Sequence, residues 1–342
     1  MKMKMECRNH YPDIYTLIDK PMLKLHKSHL QRSLITISGL LVVLLTGILN
    51  AQQDAQYTQY MYNTVSVNPA YAGSRGHMSI AGLYRSQWVG LDGAPKTQTF
   101  NMHTPLGYRG VGLGVSIVND QIGPTSETFF DLDFSYTIQL AKESRLSFGL
   151  KASASLLDIR FSELNQDVTN PGGPDPTLQE DITNRFSPNI GGGVYYHTDR
   201  FYAGLSVPRI LETSHFDESS LSTAKEQMNF YLITGYVFDM SAFWKFKPAI
   251  LLKAAQGAPL GLDLSANFMY NDKLIMGLAY RWDAAFSALV GFQLSPSLLI
   301  GMAYDREITE LGQATFNNGS FEIIMRYEFI KVKGNLKSPR FF

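Results

Sequence analysis

The stretch from Glu127 to Asp158 alternates between apolar and polar residues in two halves, joined by the short segment Ala-Lys-Glu-Ser. Successive side chains of a β-strand point to opposite faces, so the pattern predicts two strands, each apolar outside and polar inside. Their short connection is typical of a hairpin. Each half exceeds the usual ~5–6 residues of a soluble strand and fits the about 9–11 residues of a tilted strand that crosses a bilayer. The apolar positions are Phe130, Leu132, Phe134, Tyr136, Ile138 and Leu140, then Leu146, Phe148, Leu150, Ala152, Ala154 and Leu156.

Related strand patterns recur along the chain as far as residue 331. An even number of strands is expected of a bacterial outer-membrane barrel. A sheet edge left open in hydrocarbon would leave backbone groups unpaired, so a spanning sheet must close. The predicted fold is therefore all-β, a transmembrane antiparallel β-barrel of about 14 strands. The strands are predicted at 78–88, 97–105, 109–119, 127–140, 144–157, 187–197, 200–207, 227–239, 244–254, 259–270, 272–282, 284–294, 297–305 and 319–331.

Short and longer predicted connections alternate along the chain, as is typical of a barrel with short periplasmic turns and longer outer loops. Two short connections, near Gly257 and Asp283, fall among the outer loops and depart from this rule. Both chain termini are then expected on the periplasmic side. The short connections are Leu106–Tyr108, Ala141–Glu143, Thr198–Asp199, Met240–Phe243, Asn271 and Ser295–Pro296; the longer ones are Val89–Lys96, Asp120–Ser126, Ile159–Phe186, Ile210–Glu226 and Arg306–Asn318.

A targeting segment precedes the predicted barrel. Basic residues are followed by the apolar run Leu34–Leu49, which predicts a secretory signal peptide over residues 1–51, cleaved after Ala51. An uncleaved membrane anchor is the alternative, and Met22 could be the true start, with 1–21 an upstream extension. Residues 52–77 show no clear period and are expected to be an irregular N-terminal segment. Residues 78–331 form the predicted barrel, and 332–342 a periplasmic tail.

Composition narrows the function classes. The 342 residues carry 30 basic and 30 acidic side chains, so no net field would recruit nucleic acid. The mean hydropathy of −0.09 is too low for a helical membrane protein and fits alternating strands. The only cysteine is Cys7, which excludes disulfides and thiolate metal sites.

The predicted inner face carries charges of both signs and many glycines. The mixed charges indicate a paired lumen rather than a pore that selects one sign of ion. Glycine in a strand often marks a bend or the close approach of another backbone. Two hypotheses remain open: chain occupies the lumen, either the N-terminal segment or part of a partner, or the glycines only permit curvature. The charges are Asp131, Asp133, Lys151, Asp263, Arg281, Glu322, Arg326 and Glu328, and the glycines include Gly112, Gly149, Gly191, Gly193, Gly204 and Gly301.

Motifs of catalysis are missing from the sequence. It contains neither HExxH nor GxSxG, and GVGLGV at 110–115 fits a nucleotide loop poorly. Asp305 and Glu307, at the end of a predicted strand, are interpreted as solvated carboxylates. We expect no enzyme activity, no cofactor and no metal.

Two motifs resemble a known family. NPAYAG at 68–73 and YRSQW-x-GL-x-GAP at 84–95 are similar to the opening of the PorP/SprF family of Bacteroidota outer-membrane proteins. Later segments, such as GLGVSIVNDQIGPTS at 112–126 and SPRFF at 338–342, resemble it as well. The resemblance implies a barrel of the type IX secretion and gliding-motility machinery that docks secreted adhesins through their C-terminal domains. It implies periplasmic secretion components and outer-membrane lipid as further partners.

The motifs supply the candidate site. Arg85 and Gln87 are predicted on one face of the first strand, and Tyr84 and Trp88 on the other. Arg85 and Gln87 could bind the folded-back N-terminal segment or a client tail, or they could fix the first outer loop. The full set of candidate partner-binding or plug contacts is Asn68, Pro69, Tyr71, Gly73, Tyr84, Arg85, Gln87, Trp88, Pro95, Gly191 and Gly193.

Three functions compete at this stage. The first is a non-enzymatic docking barrel for secreted proteins, whose outer loops 159–186 and 210–226 would meet the client. The second is a passive porin for small solutes, which predicts an open lumen. The third is a barrel enzyme acting on lipid, for which the sequence offers no assignable Ser/His pair.

Overall fold

A computed structural model of the chain describes residues 56–107, 110–163, 181–211, 228–255, 258–313 and 316–330. The predicted leader and C-terminal tail lie outside these residues. The strands are β1 (Met78–Ser86), β2 (Lys96–Pro105), β3 (Val111–Ile122), β4 (Thr125–Gln139), β5 (Arg145–Ile159), β6 (Ile182–His197), β7 (Phe201–Val207), β8 (Asn229–Tyr236), β9 (Phe238–Asp239), β10 (Trp244–Ala255), β11 (Gly261–Tyr270), β12 (Leu274–Arg281), β13 (Ala285–Gln293), β14 (Leu298–Glu307) and β15 (Ser320–Phe329).

The strands form one closed antiparallel barrel. Val237 alone separates β8 from β9, and both pair with β10, so they count as one strand and the described residues form fourteen. Each strand pairs with its neighbours in sequence, and β1 pairs with β15 from Met78↔Phe329 to Ser86↔Phe321. The predicted fold class is confirmed, and each predicted strand has a counterpart.

The two faces of the wall differ as the alternation predicts. Leu132 and Leu150 point outward and are 61% and 67% exposed, whereas Asp131 and Lys151 point inward and are each 3% exposed. All fourteen strands contribute buried inward residues, for example Ser79 on β1 and Asn267 on β11. An apolar outer band over a polar interior is the arrangement of a barrel that sits in lipid.

One predicted outer loop is wrong. Asp120–Ser126 was expected to be a longer loop, but β3 and β4 extend into it and only Gly123 and Pro124 connect them. Asn119 pairs with Thr128 and Gln121 with Ser126 across this extension. Its residues are mostly polar on both faces, so they lack the alternation by which the sequence indicates a strand.

The first strand is shorter than predicted. It ends at Ser86, and Trp88 has a positive φ of 47°, so Gln87 and Trp88 belong to the following loop. The expectation that Trp88 shares a strand face with Tyr84 is therefore wrong. In the opposite sense, β6 begins at Ile182, five residues before its predicted start at 187.

The described helices are all short. The N-terminal segment, expected to be irregular, contains the single turns Tyr60–Tyr62, Thr64–Val67 and Pro69–Tyr71. A further turn covers Glu310–Gln313. In the described part of the chain, none of the helices has the length and apolar character to cross a membrane.

Candidate functional site inside the barrel

Residues 57–72 of the N-terminal segment pack against the inward faces of the strands. Most are at most 8% exposed, including Tyr60, Val65 and Ala70. Asn68 begins the last helical turn: its Oδ1 accepts from the backbone N–H of Ala70 at 3.0 Å, and Pro69 occupies the first helical position. Asn at the cap and Pro at the first position are the residues that favour a helix start.

A buried ionic cluster holds the beginning of this segment. Arg85 Nη1 lies 2.7 Å from Asp305 Oδ2 and 3.2 Å from Glu322 Oε2, and it donates to Thr58 Oγ1 at 3.0 Å. The backbone N–H groups of Thr58 and Gln59 donate to the two carboxylate oxygens of Glu322 at 2.9 and 2.8 Å. Thr58 Oγ1 also donates to Asp305 at 2.7 Å. One arginine and two carboxylates thus bind the segment through the side chain of Thr58 and through the backbone of Thr58 and Gln59.

A second set of contacts holds the end of the segment against glycines of the wall. Asn68 Nδ2 donates to the carbonyl of Val194 at 3.1 Å. A Cβ at Gly193 would meet Asn68 Oδ1, and one at Gly149 would meet the backbone of Ala70. Glycine at these positions lets the backbone of the segment approach the sheet closely.

The turn from the segment into β1 is fixed by polar and aromatic contacts. The backbone N–H of Gly73, whose φ is 74°, donates to His103 Nδ1 at 3.2 Å. The ring of Tyr71 meets that of His103 edge-on, with centroids 5.5 Å apart. Arg75 Nη1 donates to the Tyr71 hydroxyl at 3.3 Å, and Arg75 Nε lies 2.5 Å from Glu328 Oε1.

The remaining candidate residues lie elsewhere. Tyr84 points outward and is 44% exposed. The backbone N–H of Gln87 donates to the Pro95 carbonyl at 2.9 Å, and that of Trp88 donates to Ser320 Oγ at 3.2 Å. Gln87, Trp88 and Pro95 therefore shape the loop between β1 and β2. A Cβ at Gly191 would meet the carbonyl of Pro208 rather than the N-terminal segment.

Of the two hypotheses left open by the sequence, the contacts of the glycines favour a lumen occupied by the N-terminal segment. Some lie against the N-terminal segment, and others lie against neighbouring parts of the wall. Those that face the segment are Gly112, Gly149, Gly193, Gly204 and Gly301, where an added Cβ would meet Ala72, Ala70, Asn68, Asn68 and Gln59 respectively.

Several further inward charges form ion pairs with each other. Lys151 Nζ lies 3.0 Å from Asp131 and 2.9 Å from Asp133. Arg281 Nε lies 2.7 Å from Asp263 Oδ1. Arg326 Nε lies 3.1 Å from Glu328 Oε1. Buried charges of opposite sign need such partners, because an unpaired charge loses its hydration at high cost.

Sequence reasoning missed two members of the ionic cluster. Asp305 was interpreted as a solvated carboxylate, which is wrong: it is 1% exposed and bound to Arg85. Its position was readable, since it continues the inward series of Leu299 and Ala303 along β14. Thr58 lies in a segment without a period, and no signal in the sequence pointed to it.

Outside the wall, one carboxylate organises the described base of the long connection between β5 and β6. The backbone N–H and the hydroxyl of Ser162 donate to Asp181 at 2.8 and 2.9 Å. These hydrogen bonds to the charged form lower the pKa of the exposed Asp181 carboxyl. They tie the start of the loop between β5 and β6 to its end.

Among the residues described, no group of three or more His, Cys, Asp or Glu side chains is placed to hold a metal ion. His103 accepts a hydrogen bond from the N-terminal segment, and the ring of His197 packs against that of Tyr195 with centroids 5.5 Å apart. Both contacts are structural ones.

Comparison by sequence yields a family. A model of the family described as type IX secretion system membrane protein PorP/SprF matches residues 49–327. No curated protein matches the chain.

Comparison by structure yields outer-membrane proteins at low similarity. Omp33 of Acinetobacter baumannii shares 9% identity over 74% of this chain and 98% of its own, with a TM-score of 0.42. The toluene transporter TbuX of Ralstonia pickettii shares 11% over 76% and 91%, with a TM-score of 0.44. The monoaromatic hydrocarbon channel CymD shares 12% over 83% and 97%, with a TM-score of 0.45. Likeness at this level does not bear on what this chain binds.

Proposed function

We propose, from the premise that this chain belongs to the PorP/SprF family of type IX secretion system membrane proteins, that it docks secreted adhesins at the cell surface through their C-terminal domains. The protein is an outer-membrane β-barrel of that secretion system. Docking is a non-enzymatic function: the barrel supplies a rigid base in lipid, and its outer loops supply the binding surface. Periplasmic components of the secretion system are its expected partners on the other side.

The observation that carries this proposal is the occupied lumen. The N-terminal segment lies between the walls, and the inward residues of all fourteen strands include buried ones. A path for solutes needs water-accessible side chains along its length, whereas Arg85, Lys151 and Glu322 are buried and paired. A filled barrel favours a role in holding a partner over a role in passing small molecules.

The outer loops are the expected contact with the secreted partner. Loops on a rigid scaffold vary and carry binding function. The connections between β5 and β6 and between β7 and β8 are the longest ones, and each is anchored at both ends by a strand of the barrel. We place the partner-specific surface on these two connections.

Deletion of the gene tests the proposal. Cells that lack the barrel should release a surface adhesin into the medium, and the full-length protein should restore its retention. A variant in which a short Gly-Ser linker replaces residues 212–226 should insert normally, as judged by its heat-dependent gel mobility, and still release the adhesin. Affinity capture from cross-linked membranes should recover the adhesin with the full-length barrel and not with the linker variant.

Two results would count against docking. One is full retention of every secreted surface protein in the deleted strain. The other is capture of the intact barrel without any secreted protein or periplasmic secretion component. A passive porin, the alternative function, predicts both results together with steady ion conductance.

A further inference from the structure

The two ends of the barrel can be told apart by their connections. One end, here called the short-turn end, joins β2 to β3, β4 to β5, β6 to β7, β9 to β10, β11 to β12 and β13 to β14 by at most five residues each. The other, the long-loop end, carries the connections after β1, β5, β7 and β14. Strand β1 therefore runs from the short-turn end to the long-loop end, and β15 runs back.

The beginning of the N-terminal segment lies at the long-loop end. Arg85, Asp305 and Glu322, which bind Thr58, lie within two residues of the end of β1, the end of β14 and the start of β15. Tyr57 lies near the same end of the barrel. Its hydroxyl accepts a hydrogen bond from Thr99 Oγ1 at 3.2 Å, and Thr99 is close to the long-loop end of β2.

The last part of the segment lies at the short-turn end. Ala72 accepts a hydrogen bond from Ser135 Oγ at 2.7 Å, and Gly73 donates to His103. Ser135 lies four residues before the short-turn end of β4, and His103 two residues before that of β2. The chain then enters β1 from the same end.

The length of the segment fits this course. Ala72 lies fourteen positions after Thr58, and short helical turns rise by about 1.5–2.0 Å per residue, so the segment covers roughly 20–30 Å. A ten-residue strand tilted by about 40° rises by roughly 25 Å. One passage through the lumen thus uses the whole segment.

We infer that the described N-terminal segment starts, at Gln56, at the long-loop end of the barrel, opposite the end at which β15 finishes. This differs from the expectation that both termini lie on the same side. A reversal of direction between Gln56 and the short-turn end would need a second passage through a lumen whose inward residues are already buried.

The inference bears on the docking surface. Gln56 then lies at the end of the barrel at which β5 and β7 finish and the two longest connections begin. If secreted proteins dock at that end, which rests on the proposed function, Gln56 forms part of the surface that they meet.

Single cysteines test the course of the segment. Cys7 is the only natural cysteine, so a Cys7→Ser background is free of thiols. Gln56→Cys is compared with Asp92→Cys, in the exposed loop after β1, and with Lys142→Cys, in the exposed turn after β4. Each is treated with a bulky, membrane-impermeant maleimide on intact cells and again after permeabilisation of the outer membrane.

Gln56→Cys should react under the same condition as Asp92→Cys and under the opposite one from Lys142→Cys. Reaction together with Lys142→Cys overturns the inference. Failure to react from either side, while Asp92→Cys reacts, overturns it as well, because Gln56 would then be enclosed. If Gln56→Cys fails to insert, an epitope placed after residue 54 serves in the same comparison. No secreted protein enters this assay, so its outcome is separate from that of the docking experiments.

Discussion

Arg85 and Glu322 are direct partners across the seam at which β1 and β15 close the barrel, and both bind Thr58 of the N-terminal segment. The contact that joins β1 to β15 is therefore also the contact that holds the N-terminal segment in the lumen. Asp305 on the next strand completes the cluster. Closure and occupation of the lumen are coupled through one buried guanidinium.

Replacing Arg85 should be strongly destabilising. Arg85→Met leaves the carboxylates of Asp305 and Glu322 buried without their cation, and removing one partner of a buried pair costs about 3–5 kcal/mol. The free energy of unfolding in lipid vesicles, followed by gel mobility in a urea series, measures the effect. Lys245→Met is the matched control, because the pair of Lys245 with Asp272 is exposed and such pairs contribute about 0–1 kcal/mol. Equal losses for the two variants would contradict the role of the cluster.

The close approach of Asn68 to Gly193 predicts a coupling between these two positions. Gly193→Ala should destabilise the barrel because the added Cβ meets Asn68 Oδ1. In an Asn68→Ala background the cost of Gly193→Ala should fall, with a coupling energy on the order of 1 kcal/mol. Urea unfolding of the double-mutant cycle measures it.

Gly191→Ala is the control for that cycle. Its added Cβ meets the Pro208 carbonyl, so its cost should be the same with and without Asn68. Additive effects at Gly193, or equal coupling at both glycines, would show that the segment does not lie against Gly193 in solution.

Removing the N-terminal segment from the lumen should open a path for ions. A variant that lacks residues 57–72 exposes Arg85, Lys151 and the inward carboxylates to a water-filled lumen. In planar bilayers we expect stable single-channel currents from this variant and none from the full-length protein. Its heat-dependent gel mobility controls for correct folding. Currents of equal size from both proteins would favour the passive porin.

The lipid-facing band predicts a position-dependent cost for charge. Leu132 lies at the middle of β4 and points outward, so Leu132→Arg should lower the free energy of unfolding in bilayers by about 2–4 kcal/mol. Ile138→Arg, close to the short-turn end of the same strand, should cost about 0–1 kcal/mol. Equal effects at the two sites would mean that this face does not meet lipid.

The sequence by itself determined the wall of the barrel. Alternation is a local property, because each residue of a strand points away from its neighbours, and so the strands, their faces and their antiparallel order followed from the residues alone. Where alternation stops, as at Asp120–Ile122, a loop was predicted although the strand continues. Asp305 follows the same period onto the inner face, but it was interpreted as a solvated carboxylate because nothing local identified its partner.

The tertiary structure alone decided what fills the barrel. Thr58 and Glu322 are 264 positions apart, and they meet only because β1 and β15 close the sheet. The N-terminal segment is buried on all sides, so it carries no apolar stripe from which its course could be read. Contacts of this kind depend on the closed shape of the lumen, a property of the whole ring of strands that no single stretch of the chain contains.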